Sequence, residues 1–416
     1  MNILLASYYN PLGNGGIEKQ AIGLIKTLIK QGHKVACLTV STPENALKIQ
    51  TELDASGIFN LGIYVIHYEN NYYSFKSKVL FWVTSNPAKI LASQNRQLID
   101  FFHKYIEQIS SQYQIDIIHC LGLKTAYFIP DERNVPMILD LMDAMTQHKQ
   151  RYVQYSLRKN ITQVIFALLE FFKTKRIETN ILSINANLSP VVAISPIDVK
   201  VFKSLKPSAY VKLISASTPI KPTQELNFNH EINSQTKLIF YGFLEQVWNI
   251  DALESLVYKV IPLVHKTHPN VKLLITGFNL SENIFNLSKI FNWVEVIPDV
   301  KDIQSFVASA TLTCWPFHYG SGIKTKILEC MALGKPIVTT NVGSEAFTDS
   351  QKKGILIADS SEGMAKHIIY LLDNPDECSK LGAINYQIAL TEFTWDKRAN
   401  DYIKLYNLAK EKFKNK

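Results

Sequence analysis

The first forty residues constrain the fold more than any other stretch. NILLASY, residues 2–8, is an apolar run with the length of a buried strand, and YNPLGNGG after it is turn chemistry. IEKQAIGLIKTLIKQG then repeats apolar residues at helical spacing and stops at Gly32, and HKVACLTV is a second apolar run. Strand, helix and strand on short connections make a parallel pair with a right-handed crossover, so the chain is expected to build an α/β sheet covered by helices. IYVIHY, IDIIHCLG, PMILDL and PVVAIS supply further strands and complete a doubly wound domain over residues 1–218.

Periodicity is lost over 219–236, PIKPTQELNFNHEINSQT, which reads as a linker. A second α/β series occupies 237–395. It runs KLIFYG, a helix from Asn249 to His265, VKLLITG, a short helix, VEVIPDV, another helix, TLTCWPF, a glycine loop with its helix, PIVTT, GILIAD and two closing helices. A chain of 416 residues exceeds one ordinary core. Sheets of this kind bind ligands outside the carboxyl ends of their strands, so two doubly wound halves suggest a central cleft between them.

The charge balance, 44 Lys plus Arg against 36 Asp plus Glu, favours anionic partners. There is no zinc-finger spacing or dense basic tail to suggest nucleic acid. The five cysteines are scattered, with no C-x-x-C pair; Cys37, Cys120 and Cys314 fall in apolar strand-like runs and read as buried thiols, which fits a reducing cytosol. MNILLASYYN has no basic n-region, and no run reaches the roughly 18 apolar residues needed to span a bilayer. The expectation is a cytoplasmic protein, at most peripheral at the inner face of a membrane. Residues 151–176 bear on that point. Ile161, Ile165, Leu168 and Phe172 share a helical face flanked by Arg158, Lys159, Lys173, Lys175 and Arg176. That pattern suits either a helix packed on the first domain or one docked on anionic lipid.

The chemistry concentrates in HYGSGIKTKILECMALGKPIVTT, residues 318–340. TLTCWPF being a strand, HYGSG lies at its carboxyl edge, and a helix is expected from Ile323–Thr325 to about Leu333, ended by Gly334. A helix start offers unpaired N–H groups and partial positive charge, Gly320 and Gly322 let backbone approach closely, and Lys324 or Lys326 adds a full charge. Glu329, one to two turns in, could accept hydrogen bonds from two sugar hydroxyls. The set Gly320, Ser321, Gly322, Ile323, Lys324, Thr325 and Glu329 thus suits a diphosphate with a sugar on either side. Elsewhere, Gly15 and Gly16 form either a ligand-facing loop or a plain turn, and Glu18 matches the dipole of the helix that follows. His119 suits an active-site or a structural role. Asp140 and Asp143 lack a third ligand in sequence for a metal reading. Glu345 suits capping or cleft lining.

GSGIKTKILECMALGKPIVTTNVGSE resembles the donor-binding segment of family 4 glycosyltransferases, retaining enzymes of the GT-B fold. That family's Glu-x7-Glu motif has its second acid at Glu329, whereas Ser321 stands where the first would fall. The Gly-Ser-Gly-Ile-Lys-x-Lys run resembles a branch in which the first acid is replaced and lysine lies nearby. GGIEKQAIGLIKTLIKQGHKV, DIIHCLG, VVAISPIDV, KLIFYGFLEQVWNIDAL, HPNVKLLITG, VEVIPDVKDI and FTWDKRANDYIKLY resemble successive further segments, so the likeness covers most of the chain. The last implies a terminal helix, 396–416, packing back on the first domain.

Three departures stand out. The Arg and Lys that hold the diphosphate in the family fall at Phe243 and Val247–Asn249, the His-x-His pair becomes His119-Cys120-Leu121, and Asn-Gly-Val-Asp becomes SASTPI. The resemblance implies a metal-independent hexosyltransferase without a cofactor, transferring from a nucleotide-diphosphate sugar to a glycan or lipid-linked hydroxyl by same-face attack. His119, Lys324 and Lys326 would be the catalytic residues, with Gly15, Gly16 and Val300 joining the loop and Glu329 around the donor. Two alternatives share the fold: a sugar-nucleotide 2-epimerase and a non-catalytic subunit of a glycan assembly complex.

Overall fold

The computed structural model describes residues 1–13, 16–68, 96–129, 133–157, 160–185, 189–218 and 236–415. The linker reading of 219–236 therefore falls almost wholly outside the described residues, as do Gly15, Arg158 and Lys159. The chain divides into two compact units, Met1–Ala216 with Trp395–Lys416, and Ser217–Thr394.

In the first unit seven parallel strands form one sheet. They are β1 (Asn2–Ser7), β2 (Lys34–Ser41), β3 (Gly62–His67), β4 (Ile117–Leu121), β5 (Met137–Met142), β6 (Val191–Ala193) and β7 (Val211–Leu213), in the order β3-β2-β1-β4-β5-β6-β7. β4 and β5 are buried along their whole length, as parallel strands covered on both faces must be, which is why they read as unbroken apolar runs. Leu4, Leu38, Phe102, Ile118, Leu139 and Phe202 lie at the centre of this core. The short strand β7 has too few residues to show a pattern and is added by tertiary pairing with β6.

The terminal helix Trp395–Lys414 belongs to this unit and lies against the helix Gly16–Lys30. Gly23 makes the approach possible, since a Cβ there would stand 2.3 Å from the Trp395 ring.

The second unit holds β8 (Lys237–Phe243), β9 (Lys272–Phe278), β10 (Val294–Val296), β11 (Leu312–Trp315), β12 (Ile337–Thr339) and β13 (Ile355–Ile357). All are parallel, in the order β10-β9-β8-β11-β12-β13. The helix expected over Asn249–His265 is in three parts: Val247–Ser255, a π turn Leu256–Val260, and Ile261–Val264. Pro262, at the start of the last part, has no N–H to continue the α ladder, and the Ile261 N–H reaches back to the Leu256 carbonyl instead. VEVIPDV forms a strand only over Val294–Val296.

In each sheet the winding reverses once, between β1 and β4 in the first and between β8 and β11 in the second. A ligand crevice opens at the carboxyl ends of such a strand pair.

Candidate functional site

The reversal point of the second sheet is where the glycine loop sits. β11 ends at Trp315, and the loop leads into the helix Thr325–Ala332, whose Ile327, Leu328, Met331 and Ala332 are buried. Gly334, at φ +63°, ends the helix with its N–H on the Met331 carbonyl. Gly320 and Gly322 both have positive φ, +123° and +65°, which side chains other than glycine seldom adopt. His318 Nδ1 lies 2.7 Å from Asp251 Oδ2, tying the loop to the helix Val247–Ser255.

The two lysines have different surroundings. Lys324 occupies the N-cap position without a side-chain capping bond. Its ammonium turns back over Gly320 and donates to the Ser321 carbonyl at 2.8 Å and the Gly322 carbonyl at 3.4 Å, so it braces the loop from within. Lys326 instead reaches the carboxyl end of β8. Its Nζ donates to Asn249 Oδ1 at 3.0 Å and stands 5.9 Å from the centre of the Trp315 ring. Asn249 is 3% exposed, and its amide in turn donates to the Phe243 carbonyl at 2.8 Å. Gly242, at φ +140°, lies under the lysine stem, and a Cβ on it would stand 2.3 Å from Lys326 Cε.

Glu329 is half-buried one turn further in and accepts a hydrogen bond from the Tyr241 hydroxyl at 2.5 Å. Burial, reinforced by this carboxylate, pushes the Tyr241 hydroxyl well above its ordinary value, so it stays a donor and holds one Glu329 oxygen in place. The loop, the helix start, an ammonium and a fixed carboxylate thus share one strand-end crevice, an arrangement suited to an anion with hydroxyl groups beside it. Tyr241, Gly242 and Asn249 escape sequence reasoning. Their one available signal is the Tyr-Gly pair closing β8 opposite the glycine loop, and it carries meaning only once β8 and β11 are known to be neighbours.

The remaining expected residues belong to other elements. Val300 is half-buried in the turn after β10, the edge strand of this sheet, two strands from β8. Gly16 is the exposed first residue of its helix. Glu345 follows the short helix Asn341–Ser344, whose N-terminus is capped by Thr340 and not by the glutamate.

His119 is not at a strand end, because β4 continues to Leu121, and it is 1% exposed. Its Nδ1 lies 2.7 Å from Tyr406 Oη and its Nε2 3.1 Å from Asp140 Oδ2, the same oxygen that accepts from Tyr402 at 2.5 Å. Arg398 joins the cluster through Tyr402 and Gln20. Burial pushes the Asp140 carboxyl up, but His119, the Arg398 guanidinium and the Tyr402 hydroxyl together outweigh it and hold the group below its ordinary range. Both ring nitrogens of His119 are thus engaged by the core and the terminal helix, which is the geometry of a structural histidine. Among the described residues no three ligating side chains converge as a metal site would require.

Two parallel Rossmann-like sheets, the second with a glycine loop at its reversal point, define the GT-B class of architecture. Residues 235–374 match the family described as "Glycosyl transferases group 1". A Klebsiella pneumoniae protein, "Uncharacterized 44.6 kDa protein in cps region", is 30% identical over 139 residues, covering 32% of this chain and 36% of that one. A Haemophilus influenzae "Uncharacterized glycosyltransferase" is 30% identical over 125 residues, 28% and 35% of the two chains. The chain thus spans about a third of the length of these two relatives.

The fold is shared along nearly the whole chain with two solved structures. Sucrose-phosphate synthase from Thermosynechococcus elongatus has a TM-score of 0.67 at 15% identity, with 98% of each chain covered. Anabaena HepE in complex with UDP-glucose has a TM-score of 0.61 at 14% identity, covering 97% of this chain and 99% of that one.

Proposed function

We propose that the protein is a retaining glycosyltransferase of the family 4 type, moving a hexosyl unit from a nucleotide-diphosphate sugar to a hydroxyl of a glycan or lipid-linked acceptor. The single observation that carries the reading is the convergence of Gly320–Thr325, Lys326 and Glu329 at the β8/β11 reversal. In this reading the diphosphate lies against the start of the helix Thr325–Ala332, and Glu329, oriented by Tyr241, takes the ribose hydroxyls. Lys326 is the cation that meets the diphosphate, and Lys324 shapes the loop.

As the bond from the sugar C1 to the phosphate oxygen breaks, charge grows on the leaving diphosphate. A fixed ammonium and aligned backbone dipoles stabilise that charge without reorganising, so they favour the transition state over the bound substrate. The acceptor oxygen bonds to C1 from the same face, and its proton passes to the departing phosphate oxygen. Charge compensation falls to Lys326 and the helix start and needs no metal. The family match over 235–374 and the UDP-glucose held by HepE support a sugar nucleotide as the donor. Five buried free thiols support the reducing cytoplasm as its compartment.

The test is a thermal-shift series with nucleoside diphosphates on wild type and Glu329→Ala. One or more nucleotides should raise the wild-type melting temperature and leave the variant unmoved. A wild type unmoved by every nucleotide rules the donor assignment out. Nucleotide release from the sugar donor should then require an added acceptor. Turnover without an acceptor would point to an epimerase, and binding without turnover to an assembly subunit.

A further inference from the structure

The helix Ile161–Asn185 packs one side on the helix Met145–Ser156 and leaves the other to solvent. On the packed side Ala167 is fully buried, Glu170 pairs with Lys149 at 3.3 Å, and Glu178 accepts the backbone N–H groups of Met145 and Thr146. On the open side Ile161, Ile165, Leu168 and Phe172 are 71%, 52%, 37% and 62% exposed. Their spacing of four, three and four residues sets them in a strip roughly 60° wide and about 16 Å long. Phe166 and Leu169, also exposed, widen it. One turn beyond Phe172, Lys175 and Arg176 are exposed on the two flanks of the same strip.

A contiguous apolar strip this size on a helix marks a surface that is covered in use. The charges decide by what. The carboxylates of this helix, Glu170 and Glu178, both point to the packed side, so a second copy would bring a matching apolar strip but no acid from it to meet Lys175 and Arg176. An anionic bilayer supplies an apolar layer and phosphate headgroups at once, and the net charge of +8 adds to the attraction. No described helix is long and apolar enough to cross a membrane, so the helix would lie flat in the interface.

We propose that the open face of Ile161–Asn185 is an interfacial anchor on anionic lipid. Its apolar strip sits at the level of the acyl chains, with Lys175 and Arg176 at the headgroup phosphates. Anchoring through this helix involves neither nucleotide nor sugar.

Flotation of the full-length protein with phosphatidylcholine vesicles, with and without phosphatidylglycerol, tests it. The protein should float with the phosphatidylglycerol vesicles, less at high salt, and weakly with phosphatidylcholine alone. The Ile165→Glu/Phe172→Glu double variant should bind at least about tenfold more weakly while melting at the wild-type temperature. The Lys175→Glu/Arg176→Glu variant should lose the preference for phosphatidylglycerol.

A wild type that stays with the aqueous phase in both mixtures overturns the proposal, as does flotation unaffected by the two glutamates. Two further outcomes also overturn it. A dimer in sedimentation velocity that the glutamates split would make a second copy the occupant. A melting temperature that falls steeply with the glutamates would mean the strip is covered by this chain itself.

Discussion

At the scale of single residues, Lys326 illustrates how a mobile side chain is made into a fixed charge. A solvated lysine loses rotamer entropy when it binds an anion, and a lysine already held by Asn249 and seated over Gly242 has lost part of it beforehand. Gly242→Ala should expose this dependence. Its Cβ would overlap Lys326 Cε, and alanine is strained at φ +140°. We expect nucleoside diphosphate affinity to fall by about tenfold or more, about 1.4 kcal/mol, in calorimetric titration. Asn249→Ala should weaken binding in the same direction, whereas Lys324→Met should act mainly through the loop. An unchanged affinity in Gly242→Ala would mean that Lys326 does not face the ligand.

At the scale of elements, the helices Met145–Ser156 and Ile161–Asn185 are joined by a buried carboxylate. Glu178 accepts the Met145 N–H at 2.6 Å and the Thr146 N–H at 3.0 Å, capping the first helix from the second. Burial pushes its carboxyl up to about 7, with the two backbone bonds pulling the other way. A value raised in the folded state means that the unfolded chain ionises first. The group's contribution is therefore fully present below the ordinary glutamate range and is lost as pH rises through about 7. Relative to Glu178→Gln, wild type should lose up to about 3 kcal/mol between these limits, read from chemical unfolding at pH 4.5 and pH 8.

The apolar periods of these elements were legible in advance because they recur within one or two turns. The glycine loop, its helix and Gly334 were placed to within a residue or two for the same reason. Whether the face of Ile161, Ile165, Leu168 and Phe172 is packed or open is not decided by the sequence. A helix packed on a neighbour and one lying on lipid both show an apolar face, and only the position of Met145–Ser156 reveals which residues are left over.

At the scale of the whole molecule, the two ends of the chain meet in the first unit. The terminal helix places Tyr402, Tyr406 and Arg398 over β4 and β5, where they complete the cluster around His119 and Asp140. The chain reaches the second unit and returns along paired segments, the Thr218 N–H donating to the Phe393 carbonyl at 3.0 Å and Ser217 Oγ to the Thr394 carbonyl at 3.1 Å. Asp140→Asn tests the cluster. A carboxyl held low in the folded state stabilises above its ordinary value, and that contribution is lost as pH falls through the lower folded value. The variant should be less stable by about 3 kcal/mol at pH 7, and the gap should close in strong acid, where wild type is also protonated.

What the sequence by itself determined was local. Strand runs, helical periods, the turn glycines and the start of a helix behind Gly320–Gly322 depend on residues a few positions apart, and the order of those elements dictates two doubly wound sheets. What only the tertiary structure decided were contacts between distant segments. His119 meets Tyr406 across 287 positions and Lys326 meets Asn249 across 77. Such pairs leave no periodic trace, because a hydrogen bond depends on where two side chains arrive in space, and their separation along the chain records nothing of that.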